Sequence, residues 1–172
     1  MEKIRWIVCL GVAVVCGMGI LQAADEDLSL ENFLYSERDH SGKQAMLVNG
    51  QFKGDHLSLS LLESAKADFN GDGKSEGVVV LSEDTGGSGT FKVLCLLMND
   101  GSSLVNTSRI YLGDRIKLTG LVVEEKEILV SYLDRKPDEA LSAHPSVEMV
   151  VRHRVEGVQL KRVARPKRRE KM

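Results

Sequence analysis

The chain predicts a mainly β fold, an antiparallel sandwich or partly open barrel of hairpins, on three observations. From Lys43 onward apolar residues recur with period two, as in Leu57, Leu59 and Leu61 alternating with Ser58 and Ser60. Turn residues break these runs at short intervals, at Asn49-Gly50, Gly54-Asp55, Gly71-Asp72-Gly73, Gly86-Gly87-Ser88-Gly89, Asn99-Asp100-Gly101 and Glu156-Gly157. No long helical period separates them, which argues for hairpins packed as a sandwich or barrel.

Residues 1–24 read as a secretory signal. Charged Glu2, Lys3 and Arg5 precede a 16-residue apolar run from Trp6 to Leu21, and small Ala23 and Ala24 follow. A spanning helix needs roughly 20 apolar residues, so cleavage is expected, with a mature chain starting near Asp25 and no membrane span after it. The alternative is an N-terminal segment retained as an anchor. Cys9 follows Ile7-Val8 and Cys16 follows Val14-Val15, where a lipoprotein signal needs a small residue before its cysteine. The expected location is periplasmic or secreted.

Residues 25–42 form a polar lead-in whose one apolar patch, Phe33-Leu34-Tyr35, fits a short N-terminal helix or a loose segment. A β domain is expected over 43–164. Within it, Phe91, Val93, Cys95 and Leu97 occupy one parity and Leu94, Leu96 and Met98 the other, so this strand is buried on both faces and central in its sheet. Ile116 to Val123 and Ile128 to Tyr132 flank Glu124-Glu125-Lys126-Glu127 as a hairpin. Val147 to Val151 and Val158 to Leu160 form the last one, after an irregular loop between Asp134 and Ser146. The basic segment 165–172 reads as a solvated tail.

Cys95 is the one cysteine after the signal, so the domain holds together without an internal disulfide. Its setting among Val93, Leu94, Leu96 and Leu97 makes it an inert core side chain. The formal net charge of −2 conceals about −9 over residues 25–160 and +6 over 161–171. An acidic body disfavours nucleic acid as its partner and suits a cation. The basic tail could meet an anionic surface.

The segment Asp68-Phe69-Asn70-Gly71-Asp72-Gly73-Lys74-Ser75-Glu76 sets oxygen ligands at alternate positions of a tight turn. Calcium takes six to eight oxygens, which Asp68, Asn70, Asp72, the Lys74 carbonyl and Glu76 can supply in succession. Counting from Asp68, the twelfth position that an EF-hand fills with a bidentate carboxylate is Val79, in an evident strand. The loop is therefore an inter-strand calcium loop rather than an EF-hand. An Asx-and-Gly turn without a ligand is the simpler alternative.

Gly86-Gly87-Ser88-Gly89-Thr90 lacks both the spacing of a hydrolase elbow and the helix of a phosphate loop, and reads as a strand connection. Gly113-Asp114-Arg115 reads as a local hydrogen-bonding fixture. His40, His56, His144 and His153 lack zinc-ligand spacing, and no acid, base and nucleophile can be assembled. In order, Asp68 to Glu76, Gly86 to Phe91 and Leu112-Gly113-Asp114-Arg115 resemble a group of bacterial secreted and lipid-anchored proteins sharing D-x-N-G-D-G-x-x-D, G-G-S-G-T-F and L-G-D-R. The resemblance covers roughly residues 43–160 and implies an exported protein without implying an activity. Glu76 stands where that group has Asp, and His144-Pro145-Ser146 where many members have cysteine before Pro-Thr.

These readings lead to an exported, non-enzymatic β domain with a structural calcium loop and a binding or accessory role toward an envelope or extracellular partner. One alternative is an envelope hydrolase or carbohydrate-active protein using Asp68, Asp72 or Glu76. The other is attachment to an anionic surface through the basic tail.

Overall fold

A computed structural model describes residues 29–36 and 44–163; the signal segment, most of the lead-in and the basic tail lie outside the described residues. Among the described residues there are eleven strands and no helix. They are β1 (Leu34–Ser36), β2 (Gln44–Met46), β3 (Gln51–Lys53), β4 (Ser58–Ala67), β5 (Glu76–Asp84) and β6 (Phe91–Asn99). Next come β7 (Leu104–Asp114), β8 (Lys117–Glu124), β9 (Glu127–Asp134), β10 (Val147–Glu156) and β11 (Gln159–Val163). Among these residues no helix is long and apolar enough to cross a membrane.

The strands form a seven-stranded sheet in the order β2-β1-β7-β6-β5-β4-β3 and a four-stranded sheet in the order β11-β10-β9-β8. All pairings are antiparallel except β1 with β7, which meet in parallel at Leu34 and Val105. β2 and β3 lie at opposite edges of the larger sheet yet are joined by residues 47–50 alone. That sheet must therefore curl until its edges nearly meet. The seam is stitched by the Val48–Gln51 bridge, by Gly50 N–H donating to the Glu31 carbonyl (2.8 Å) and by Leu61 N–H donating to the Gly50 carbonyl (2.7 Å).

The curl explains why β5 and β6 are apolar on both parities. Val79, Leu81, Val93, Cys95 and Leu97 point into it, packing on Phe33, Tyr35, Ala45, Leu47 and Leu59. Val78, Val80, Leu94 and Leu96 point outward onto Leu121, Ile128, Val130, Tyr132, Val151 and Leu160 of the four-stranded sheet. Each such side chain removed from water contributes about 1.5–3 kcal/mol. β6 is the middle strand of seven, as its double-sided pattern predicts. The fold thus combines both expected architectures, a barrel-like sheet and a second sheet stacked on it.

The N-terminal segment differs from its sequence reading. Phe33-Leu34-Tyr35 is strand rather than helix, and Leu30, Phe33 and Tyr35 are core residues, so the fold begins ahead of Lys43. Polar neighbours masked the signal, because only alternate residues of so short a strand face the core. Burial of Cys95 pushes its thiol up to about 12, in keeping with an inert side chain.

The inter-sheet core also buries a histidine. His153 is 1% exposed, its Nδ1 has no hydrogen-bond partner, and burial, with the Arg162 charge adding to it, pushes its pKa down to about 4. The folded state therefore holds the neutral imidazole, while the unfolded chain takes up a proton near pH 6.5. Stability is full above that value and falls as pH drops toward 4, by up to about 3 kcal/mol. Urea unfolding from pH 7 to pH 4 should show this loss, and His153→Leu should remove its share of the slope.

Candidate functional site

The Asp68 to Glu76 loop joins β4 to β5, two neighbouring antiparallel strands whose last and first residues, Ala67 and Glu76, are ladder partners. Eight residues, Asp68 to Ser75, make this reversal by folding short polar side chains back onto their own backbone. Asp68 Oδ1 accepts from Gly71 N–H (2.6 Å) and Oδ2 from Gly73 N–H (3.1 Å). Asn70 Oδ1 accepts from Asp72 N–H (2.8 Å), and Asp72 Oδ1 from Lys74 N–H (2.8 Å). Gly71 and Gly73 adopt φ of +83° and +85°, a left-handed conformation that glycine takes without strain.

Glu76 closes the loop from within the sheet. It is fully buried, with Oε2 accepting from Phe69 N–H at 2.8 Å, and Oε1 has no hydrogen-bond partner. Desolvation raises its pKa, the Phe69 and Asn70 N–H groups oppose the rise, and the Asp72 and Asp68 charges add to it. Asp72 is held low, chiefly by the Lys74 N–H and then by the Asn70 amide. The loop thus presents an acidic rim over one buried, half-satisfied carboxylate.

Among the described residues no three acidic, histidine or cysteine side chains converge closely enough to hold a metal as placed. The donor chemistry nonetheless fits a hard cation. Each carboxylate oxygen pair has about four lone-pair sites, so accepting one or two N–H groups leaves sites for a further ligand. The orphaned Glu76 Oε1 is the atom that most lacks a partner. Cations stand nearby: Lys126, at the tip between β8 and β9, reaches toward Gly71, and Lys74 lies over Gly101.

The other two motifs meet at a separate corner. Thr90 N–H donates to Asp114 Oδ1 (3.0 Å), Arg115 N–H donates to the Thr90 carbonyl (2.8 Å), and Arg115 Nη2 pairs with Asp114 Oδ2 (3.1 Å). Arg135 adds donations to the carbonyls of Asp114, Arg115 and Ala143. The glycine-rich segment and Gly113-Asp114-Arg115 therefore form one structural knot, at the end of β5 opposite Glu76. His56 and His144 are exposed, His153 is buried alone, and His40 lies outside the described residues.

One cluster escaped sequence reasoning. Inside the curled sheet Tyr35 Oη donates to Glu83 Oε1, and Arg109 Nη2 pairs with Glu83 Oε2. The Tyr35 hydroxyl is raised in pKa, first by burial and then by the hydrogen bond to Glu83. The available signal was parity, since Glu83 lies in register with Leu59 and Arg109 with Cys95, both residues of the inner core.

No family model, no curated protein and no solved structure matches this chain. Fold and site define its class as an all-β protein with a barrel-like sheet, a second stacked sheet and an Asx-turn loop at one strand junction.

Proposed function

We propose that this is an exported, non-enzymatic β domain whose Asp68 to Glu76 loop binds calcium as a structural staple, with a binding or accessory role at the cell envelope. The observation that carries the reading is Glu76, a fully buried carboxylate with a partnerless Oε1, set beneath Asp68 and Asp72. Asp68, Asn70, Asp72, the Lys74 carbonyl and Glu76 are the ligands. Bound there, calcium supplies positive charge and oxygen coordination that offset the carboxylate repulsion. The acidic body, the signal-like first 24 residues and the three-motif resemblance support an exported setting, where affinity of about 10⁻⁴ to 10⁻³ M suffices.

Calorimetric titration of the chelator-treated protein with calcium tests this, beside Asp72→Ala. Saturable heat is expected for the parent and at least tenfold weaker binding, about 1.4 kcal/mol, for the variant. Absence of heat with the parent up to about 10 mM calcium, tenfold above the weak end of the extracellular range, refutes the reading.

A further inference from the structure

The four-stranded sheet packs one face on Val78, Val80, Leu94 and Leu96 of the larger sheet and turns the other to solvent. On that outer face Val122 and Val150 are 49% and 46% exposed. At the end of the sheet that carries Lys126, register sets Glu124, Glu127, Arg154 and Lys161 in one row across β8, β9, β10 and β11. Two of the three neighbouring pairs in the row are of like sign, Glu124 beside Glu127 and Arg154 beside Lys161. Like charges directly opposite each other destabilise a sheet.

Little within the chain offsets this. Glu127 has Arg152 as a partner at 3.1 Å, whereas among the described residues Glu124, Arg154 and Lys161 form no ion pair. The row is thus acidic on its β8–β9 half and basic on its β10–β11 half. The segment that follows β11 is basic in sequence as well, so it carries the sign of the half it adjoins.

Such a row is complementary to a second copy of itself. A twofold axis lying along the strands, between β9 and β10, sets β8 of one copy on β11 of the other and β9 on β10, at the same height. Glu124 then meets Lys161 of the second copy and Glu127 meets its Arg154, so all four charges gain partners of opposite sign. In the next row Val122 meets Val163 of the second copy. Beyond it Ser131 and Gly120, where a Cβ would meet nothing within 4 Å, leave a low floor beneath Val150 of the second copy. An axis across the strands relieves less, because it sets Glu127 on Leu133 and finds no described residue for Lys161.

The formal net charge of −2 gives two copies little overall repulsion. Four strands about 4.8 Å apart, over rows spanning about 20 Å, make a flat area of roughly 400 Å² per copy. A face of that size suits a weak, reversible contact rather than a permanent one.

We propose that the outer face of the four-stranded sheet joins two copies of this chain in a reversible twofold dimer, with Glu124 and Glu127 of one copy paired to Lys161 and Arg154 of the other. Sedimentation equilibrium from about 1 to 500 μM tests it, and a monomer–dimer equilibrium is expected within that range. Lys161→Glu should weaken the dimer at least about tenfold, because symmetry repeats the change at both ends of the contact. Its urea midpoint, taken where the parent is monomeric, should not fall, since the change also removes the like charge beside Arg154. Adding Glu124→Lys should restore the parent affinity to within about threefold, and that recovery separates lost pairing from lost fold. A parent that stays monomeric throughout, a Lys161→Glu variant that associates as tightly as the parent, or a double exchange that does not restore association overturns the inference.

Discussion

Glu76→Gln is expected to stabilise the calcium-free protein and to abolish its thermal response to calcium. The parent carboxylate is fully buried, has one unpartnered oxygen, and faces the charges of Asp68 and Asp72. Burial raises its pKa, so its charge costs more in the folded chain than in the unfolded one. The penalty is present above the folded value and is relieved as pH falls through it. A neutral amide of the same shape keeps an acceptor for Phe69 N–H and removes the charge, for a gain of about 1 kcal/mol or roughly 3–4 °C in Tm. In the parent, calcium at a hundredfold excess over Kd should add about 2.7 kcal/mol. Thermal unfolding with chelator and with calcium separates the two effects. A variant less stable than the parent in chelator, or one that keeps the full calcium response, contradicts the assigned role of Glu76. This acid-relieved penalty has the opposite sign to the His153 window, so His153→Leu should be examined in calcium-treated protein.

Arg109→Ala is expected to cost about 3–5 kcal/mol, the typical price of stranding one member of a buried ion pair. Glu83 is 4% exposed and would lose its cationic partner inside the curled sheet, keeping only the Tyr35 hydroxyl. Tyr35→Phe should cost about 1.5–3 kcal/mol, because the lost hydrogen bond ends on a charged group. Joint replacement of Glu83 and Arg109 by leucine should recover much of the single-variant loss, since no charge is then left buried. Urea midpoints for the three variants test the set. Equal losses for the joint and the Arg109 variants would mean that the pair contributes through its shape rather than its charges.

The strands β4 to β6 and β8 to β11 were legible because each carries enough apolar residues for its pattern to show, and because glycine and asparagine marked the turns; β7 was not, its apolar residues being scattered among polar ones. The oxygen-rich loop was legible as a local event: its acidic and amide side chains and their spacing lie within nine consecutive residues. β1 was not legible, since three residues give one inward side chain and Tyr35 could equally belong to a helix. The Tyr35, Glu83 and Arg109 cluster was hidden for a related reason. Its members are 26 to 74 residues apart, and an acidic or basic residue in a strand reads as solvent-facing until the partner strands are placed. The junction of the glycine-rich segment with Gly113-Asp114-Arg115 likewise depends on the pairing of β6 with β7.

By itself, the sequence determined the β class, the central place of Phe91 to Asn99 in its sheet, and a loop rich in oxygen ligands, because these follow from local periodicity and spacing. The tertiary structure alone decided that the larger sheet curls onto an internal core, that Glu76 is buried with one oxygen unpartnered, and that Glu83 and Arg109 meet. Burial and pairing are properties of strands brought together from distant parts of the chain. Period two records which side of a strand is apolar; it does not record what covers that side.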